Sequence, residues 1–193
     1  MGESVKRVLF VNSEIFPYLP ESDIANIGRY LPQGIQERKK EIRSFMPRYG
    51  CINERKNQLH EVIRLSGMNI VINDVDRPLV IKVASISAAR MQVYFIDNED
   101  YFHRNGIAKD KDGNFFDDND ERGIFYVRSV LETIKKLRKE REITQEEFAE
   151  VLGVSCQSVS RWENENCYPD IELIPTIADF LGFPSTSFWA LTK

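Results

Sequence analysis

The sequence contains little cysteine and little histidine. Its three cysteines, Cys51, Cys156 and Cys167, form no CxxC pair, and only His60 and His103 could add imidazole ligands. Closely spaced soft ligands of the kind that bind zinc are therefore missing, and we predict no metal site. An odd number of widely spaced cysteines indicates free thiols in a reducing compartment, and we therefore expect a cytoplasmic protein.

Long apolar runs and an excess of basic residues are also missing. No segment is apolar over the length that a bilayer span requires, so we predict no membrane partner. The 193-residue chain has 26 lysines and arginines against 30 aspartates and glutamates, a formal net charge of −4. This balance gives no global attraction to nucleic acid, so any surface that binds a polyanion must be a local basic patch.

The first half of the chain combines strands, turns and one helix. The run KRVLFVN at 6–12 has four consecutive apolar residues, which indicates a strand buried on both faces. A helix is predicted over DIANIGRYLPQGIQERK, with Ser22 or Asp23 as its cap and with Pro32 causing a kink or an early end. EIRSFMP at 41–47 is typical of a second strand and completes a βαβ unit. The apolar stripe of the helix consists of Ile24, Ile27, Leu31 and Ile35.

Four extended runs follow this unit. LHEVIRLSG, MNIVIND, PLVIKVASIS and MQVYFID are separated by Gly, Asp-Arg-Pro and Ala-Ala-Arg breaks, which predicts hairpins and a return to the parallel sheet at MQVYFID. Glu14 and Asp97 end strands, where α/β folds place their sites, although solvated strand ends and helix caps are the commoner role of such carboxylates. The polar, turn-rich stretch KDKDGNFFDDND at 109–120 is linker-like.

Five motifs of the first half, in this order, resemble the opening of bacterial glycogen and starch synthases: VLFVNSEIFPY, LPQGI, FMPRYG, VYFIDNEDYFHR and DDNDERGIFYVRSVLE, over about residues 6–137. The resemblance implies a Rossmann-like fold and, in complete enzymes, transfer of glucose from a nucleotide sugar to an α-glucan. The family's Lys-Thr-Gly-Gly-Leu phosphate loop is replaced here by PESDI at 20–24, which has two carboxylates and no cation.

Like charge at an anion site repels the anion, so this replacement argues against nucleotide-sugar binding. The family's histidine-bearing segment and its entire second domain have no counterpart in the chain. We therefore expect a non-catalytic remnant that takes no cofactor and has neither a nucleotide sugar nor an α-glucan as its partner.

The second half is almost entirely helical in pattern. Thr144 and Glu147 have the spacing of a capping box, Gly153 is placed to end that short helix, and Ser155 can cap the next one. The preceding helix carries an apolar stripe, with the basic residues of KKLRKER largely off it. The stripe consists of Val127, Val130, Leu131, Ile134 and Leu137. Inward positions in the two short helices are Phe148, Val151, Leu152, Val159 and Trp162.

The run LRKEREITQEEFAEVLGVSCQSVSRWEN resembles lambda-repressor-like, Cro-type helix-turn-helix domains, and the likeness extends over about residues 130–191. It makes residues 154–164 the recognition helix. Gln145 and Lys139 would contact phosphate, and Gln157 would read base edges because its amide matches adenine's donor and acceptor. Arg161 could bond guanine or a phosphate. The other implied contacts are Ser158 and Asn164 at the DNA backbone, Cys156 and Ser160 in the groove, and Ser155.

One residue departs from that family's pattern. Glu165 stands where a glycine usually follows Glu-Asn, and a left-handed backbone there would cost about 1 kcal/mol, unless Asn166 takes the turn instead. Beyond it, further helices are predicted over DIELIPTIADFLG and TSFWAL. We expect the departure to weaken affinity for DNA more than it affects the fold.

The complete prediction is a partial Rossmann-like α/β domain over residues 1–125, with a parallel sheet and hairpins, followed by an all-α, five-helix helix-turn-helix domain over 126–193. The segment IKKLR fits both the last helix of the synthase-like part and the first helix of the helix-turn-helix part. We therefore predict that one unbroken helix from about Asp120 to Arg141 belongs to both domains. The favoured function is sequence-specific binding of double-stranded DNA by a transcriptional regulator, weak as a single copy and stronger as a homodimer. The alternatives are a glycosyltransferase fragment with an incidental helical tail, and a protein–protein adaptor built on an exposed sheet edge.

Overall fold

The chain folds into a mixed sheet followed by a series of helices. A computed structural model describes residues 7–164, 166–167, 169–170 and 173. The strands of the described residues are β1 Arg7–Val11, β2 Glu41–Pro47, β3 His60–Glu61, β4 Met68–Ile72, β5 Val75–Ile86 and β6 Met91–Asp97. The helices are α1 Asp23–Glu37, α2 Glu54–Asn57, α3 Glu99–Phe102, α4 Asn119–Glu140, α5 Gln145–Leu152 and α6 Cys156–Glu163. Within this part of the chain, no helix has the length and apolar character to cross a membrane.

The sheet contains a parallel half and an antiparallel half. Its strand order is β1-β2-β6-β5-β3, and β4 pairs with the first part of β5. β1, β2 and β6 run parallel, whereas β5 is antiparallel to β6 and to β3. The predicted βαβ unit, the hairpins and the return of MQVYFID to the parallel sheet are therefore confirmed.

Strand β1 lies at the edge of the sheet, because β2 is its only partner among the described residues. The prediction that VLFV is buried on both faces is wrong: Leu9 is buried, but Val11 is 39% exposed. A parallel strand is covered on both faces only when further strands and helices continue the sheet beyond it. The described part of the chain provides none on this side.

Helix α1 begins as predicted, at the Ser22 cap, whose side chain accepts from the Ala25 N–H. Gly28 lets the helix approach the end of β1, since a Cβ at that position would lie 2.2 Å from the Glu14 carbonyl oxygen. The helix continues to Glu37, so Pro32 does not end it early.

The predicted apolar stripe of α1 does not face the sheet. The buried positions are Ala25, Gly28, Arg29 and Pro32, about 100° around the helix from the stripe. Ile24, Ile27 and Leu31 remain 49%, 55% and 50% exposed. Amphipathic spacing therefore identified the helix correctly but assigned the wrong face to the core.

The hairpins differ from prediction in their turns. The tight turn between β4 and β5 lies at Asn73 and Asp74, which both have positive φ, and the predicted break at Arg77 and Pro78 falls inside β5. Asparagine and aspartate tolerate this backbone conformation better than most residues. Of the run LHEVIRLSG only His60–Glu61 is a strand, because the segment after it turns back through bonds such as Leu65 N–H to Val62 O.

Helix α4 is shared by both halves of the chain. It is continuous over Asn119–Glu140, close to the predicted 120–141. Its first part buries Phe125 against Tyr101 and Phe102, and its last part packs against α6. A single apolar cluster extends from the sheet through α4 to Trp162. The fold class is confirmed, whereas the division at 125/126 stays a prediction, since it falls within this unbroken helix.

Polar contacts also tie the end of α4 to the α/β part. The Arg64 guanidinium forms an ion pair with Glu140 at 2.6 Å, and Lys136 Nζ lies 3.5 Å from the Ser66 carbonyl oxygen. Arg64 and Ser66 belong to the turn after β3, so this turn and the apolar cluster contact the helix at different places.

Candidate nucleic-acid interface

Helices α5 and α6 are joined by a short turn whose sequence specifies each end. Thr144 and Glu147 form the predicted reciprocal capping box at the start of α5. Gly153 ends α5 in the left-handed region with φ 66°. Ser155 caps α6 by accepting from the Ser158 N–H at 3.1 Å. The two helices and their turn thus form where local sequence predicts them.

An apolar core holds these helices against α4. Phe148 and Leu152 of α5 and Val159 and Trp162 of α6 are buried as predicted. The inward prediction for Val151 is wrong, since it is 46% exposed, and Val127, a member of the apolar stripe of α4, is 41% exposed. In α5, Ala149 is buried beside Phe148 and Leu152 in place of Val151. Helix α4 contributes Val130, Ile134 and Leu137 to the same core.

A buried ion pair fixes the end of α6 to α4. Arg138 donates to the Glu163 carboxylate through Nε at 2.5 Å and Nη2 at 2.7 Å, and it also donates to the Ile143 carbonyl. Arg138 is therefore not part of an exposed basic surface, since it is only 6% exposed. A guanidinium is buried where a carboxylate can satisfy its planar donors, and Glu163, 25 residues later, supplies that carboxylate.

Gln145 joins the same cluster. Its Nε2 donates to Glu163 at 2.7 Å, and its side chain is half-buried. Lys135 is also engaged, with Glu132 at 2.7 Å and with the Glu163 carbonyl at 3.0 Å. Gln145 lies at the start of α5 as the resemblance implies, but its amide already has a partner within the protein.

The outer face of α6 carries the side chains that are free to bind a ligand. Gln157 and Arg161 are exposed, and neither forms a hydrogen bond or ion pair through its side chain with any other described residue. Asn164 is exposed and donates to Ser160 Oγ at 3.3 Å. The remaining predicted contacts are exposed Ser155 and half-buried Cys156, Ser158 and Ser160.

Few cations surround this face. Lys139, near the end of α4, is exposed and has no side-chain partner among the described residues. With Arg138 buried and Lys135 paired, Lys139 and Arg161 remain as available cations among the predicted DNA-contacting residues. The surface of α5 also carries exposed Glu146, whose negative charge repels phosphate. The arrangement is suited to polar recognition with a weak electrostatic contribution.

Part of the sequence prediction lies outside the described residues. This applies to the backbone of Glu165, to Tyr168, to the later helix over DIELIPTIADFLG apart from Asp170 and Leu173, and to TSFWAL. The described part of the five-helix prediction comprises α4, α5 and α6. Leu173 donates its N–H to the Asp170 carbonyl and packs against the apolar cluster.

At the carboxyl ends of the parallel strands, the segment PESDI at 20–24 has an acidic environment. Ser22 Oγ donates to the Glu14 carboxylate at 2.7 Å, and Glu21 and Asp23 are exposed beside it. The Ser22 cap of α1 is thus hydrogen-bonded to one carboxylate and flanked in sequence by two more. This geometry disfavours a bound phosphate.

Glu14 and Asp97 have different partners, and that of Glu14 is Ser22. Asp97 is buried and bonds instead to Lys82 Nζ at 2.8 Å and to His103 Nε2 at 3.0 Å. Lys82 in turn contacts Glu54 at 2.7 Å. Sequence reasoning missed Lys82, because nothing in the pattern of β5 indicates that it reaches across to the end of β6.

A cavity of about 420 Å³ also lies at these strand ends. Its lining includes Ser13, Tyr49, Arg122 and Tyr126. Burial lowers the pKa of Arg122, raises the pKa of Tyr49 to about 12 and raises that of Tyr126 well above its ordinary value. These tyrosines stay protonated at neutral pH, and Tyr126 Oη donates to the Asn12 carbonyl at 2.9 Å.

The fold and the helical site define an α/β domain that shares a helix with a helix-turn-helix. The family model of the starch synthase catalytic domain matches residues 7–148, and a helix-turn-helix model matches residues 134–188. The chain therefore belongs to the starch synthase catalytic domain family and carries a helix-turn-helix region. The two matches overlap over 134–148, which is the end of α4 and the start of α5.

Individual relatives agree with this assignment. The chain is 33% identical to the glycogen synthase of Chlorobium limicola over 174 residues, covering 89% of this chain and 35% of that protein. It is 39% identical to the glycogen synthase of Chlorobium luteolum over 132 residues, which cover 68% of this chain and 27% of that protein. The chain thus spans about a third of the length of the curated relatives that it matches.

A solved structure supports the same fold. The catalytic domain of starch synthase IV from Arabidopsis thaliana, bound to ADP and acarbose, matches with a TM-score of 0.57 at 14% identity. The match covers 73% of this chain and 27% of that one.

Proposed function

We propose that the chain binds double-stranded DNA sequence-specifically through α6 and acts as a transcriptional regulator. One observation carries the proposal: α6 buries Val159 and Trp162 on one side and presents on the other Gln157 and Arg161, whose side chains have no partner among the described residues. A short helix held in this way by a preceding helix and turn fits the major groove of B-DNA. The match of residues 134–188 to the helix-turn-helix model supports the same function.

The chemistry of the two side chains suits base recognition. A glutamine amide matches the donor and acceptor of adenine in the major groove, and arginine matches the two acceptors of guanine. Lys139 would contact phosphate without sequence preference, as would Gln145 if it released Glu163. Since few cations are available, we expect weak binding by one copy and a clear dependence on salt.

Selection of bound DNA from a random pool, with the full chain, tests the proposal. Enrichment of one short motif, followed by loss of base preference at one position in Gln157→Ala, is the expected result. The matched control is Val151→Ala, which changes an exposed residue of α5 and should leave the motif unchanged. Failure to enrich any motif at low salt would refute sequence-specific binding.

The second candidate function is glucosyl transfer, which membership of the starch synthase family and the cavity beside Arg122 favour. Against it stand the carboxylates Glu14, Glu21 and Asp23 at the position of the phosphate loop. We propose that the α/β part is not catalytic by itself. The purified chain should therefore not elongate glycogen from ADP-glucose or UDP-glucose, and incorporation above a no-enzyme control would reverse this assignment.

We propose that the chain consists of an α/β domain over residues 1–125 and a DNA-binding domain over residues 126–193. The cytoplasm is the proposed site of action, because Cys51, Cys156 and Cys167 are all free thiols and a reducing compartment keeps them so.

A further inference from the structure

Strand β1 has backbone groups at the edge of the sheet that no other described strand pairs. Asn12 N–H bonds to the Phe45 carbonyl on β2 at 3.0 Å. Because alternate residues of a parallel strand direct their backbone groups to the same side, Val8 and Phe10 also face β2. The N–H and C=O groups of Leu9 and Val11 therefore point away from the sheet, toward an edge that no described strand covers.

The apolar side of α1 borders this same edge. Gln33, Gln36 and Glu37 line a cleft together with Ala88, Ala89 and Arg90, and Gln36 Nε2 donates to the Arg90 carbonyl just before β6. That side of α1 therefore faces β6. At about 100° per residue, Ile24, Ile27 and Leu31 lie on the opposite side of the helix, toward β1 and beyond it. Each of the three is about half exposed.

The charges at the two ends of α1 are opposite in sign. Exposed Glu21 and Asp23 lie at its start, and exposed Arg38 and Lys39 lie at its end. Two such helices side by side attract each other when antiparallel and repel when parallel. The exposed side of α1 is thus complementary to a second, antiparallel copy of itself.

We propose that two copies of this chain associate through β1 and α1 about a twofold axis perpendicular to the sheet. Leu9 pairs with Leu9 of the second copy, and the two β1 strands join antiparallel into one continuous sheet. The same rotation keeps both α1 helices on one face of that sheet and makes them antiparallel, so their apolar sides meet. One symmetry operation therefore covers the strand edge, buries Ile24, Ile27 and Leu31, and pairs the opposite charges.

The two elements are needed together. A specific interface usually buries about 800 Å² on each partner. Three half-exposed side chains of α1 cannot reach that value without the residues of β1. The resulting dimer would carry two helix-turn-helix regions on α/β parts joined by a common sheet, but its formation requires no DNA. A result that refutes DNA binding therefore leaves the dimer proposal standing, and a result that refutes the dimer leaves DNA binding standing.

Sedimentation velocity of the full chain without DNA, over a concentration series, tests the proposal. We expect a dimer for the wild type and a dissociation constant raised by about a hundredfold or more for Ile27→Glu, since a symmetric interface would bury two unpaired carboxylates. The matched control is Ile63→Glu, which changes an 84% exposed isoleucine beside β3, at the opposite edge of the sheet. This control should dimerise like the wild type. Because Ile27 is exposed in the single copy, circular dichroism should show that Ile27→Glu remains folded.

Hydrogen exchange identifies what covers the edge. In the dimer, the amides of Leu9 and Val11 should be protected, and Ile27→Glu should remove this protection. A monomeric wild type would overturn the proposal. If its Leu9 and Val11 amides were nevertheless protected, a segment of the same chain would cover β1. A dimer that is lost in Ile63→Glu and kept in Ile27→Glu would place the interface elsewhere and equally refute the proposal.

Discussion

Removal of Glu163 should destabilise the helix-turn-helix region without changing the outer face of α6. Its carboxylate accepts two hydrogen bonds from Arg138 and one from Gln145. The side chains of Arg138 and Glu163 are only 7% and 9% exposed, so water screens this pair little. Glu163→Ala leaves a buried guanidinium without its counter-charge, which typically costs about 3–5 kcal/mol.

The double variant Arg138→Met/Glu163→Leu separates the charge effect from lost packing. Replacing a buried ion pair by apolar residues of similar size is often close to neutral, so the double variant should be at least about 2 kcal/mol more stable than Glu163→Ala. Glu150→Ala, which removes an exposed carboxylate of α5, should change stability by less than about 0.5 kcal/mol.

Urea denaturation monitored by tryptophan fluorescence measures these differences in the free energy of unfolding. The chain has two tryptophans, Trp162 and Trp189, and both lie in its C-terminal part, so their emission reports on the helix-turn-helix region. If Glu163→Ala cost less than about 1 kcal/mol, the pair would behave like an exposed salt bridge, and the argument from burial would be refuted. Equal losses in the single and double variants would refute it as well.

Three further outcomes are expected. Gln157→Ala should weaken binding to the selected DNA site by about 1–3 kcal/mol and relax preference at one base, as measured by competition with single-base variants. Lys139→Ala should weaken all sequences alike and reduce the slope of log affinity against log salt by about 1, whereas Lys111→Ala, an exposed lysine of the α/β part, should leave the slope unchanged. Hydrogen bonds from Arg104, at 2.5 and 2.6 Å, lower the pKa of Asp118, so this carboxylate stabilises the fold above its unfolded pKa of about 3.9 and progressively less as pH falls through its folded pKa. Asp118→Asn should therefore be less stable than the wild type at pH 7, and the difference in urea midpoint should shrink below about pH 4; a difference that does not depend on pH would contradict this assignment.

Helix α4 explains why the two halves of the chain could be recognised separately and yet not be divided cleanly. Its first part belongs to the apolar cluster around Phe125, and its last part holds α6 through Arg138. Each half therefore carries enough local pattern to be identified, but both need the same helix. A boundary drawn at 125/126 remains a prediction, and expression of residues 126–193 alone would remove about the first two turns of α4.

Local sequence was most informative where the determining contacts lie within a few residues. Thr144 with Glu147, Gly153 and Ser155 specify both ends of α5 and the start of α6 through bonds to neighbours at most a few positions away. The turn at Asn73 and Asp74 carries a comparable signal, which the neighbouring Pro78 obscured. Spacing also identified α1, but not which of its sides is buried.

The sequence by itself determined the class of each half: a βαβ unit with hairpins, and two capped helices whose buried positions include Val159 and Trp162. Tertiary structure alone decided that Arg138 is buried, because its partner Glu163 is distant in the chain and only packing brings the two together. It also decided that Ile24, Ile27 and Leu31 face outward beside β1. The spacing of apolar residues in the sequence shows which side of a helix is apolar. Whether that side is buried depends on which strands and helices pack against it.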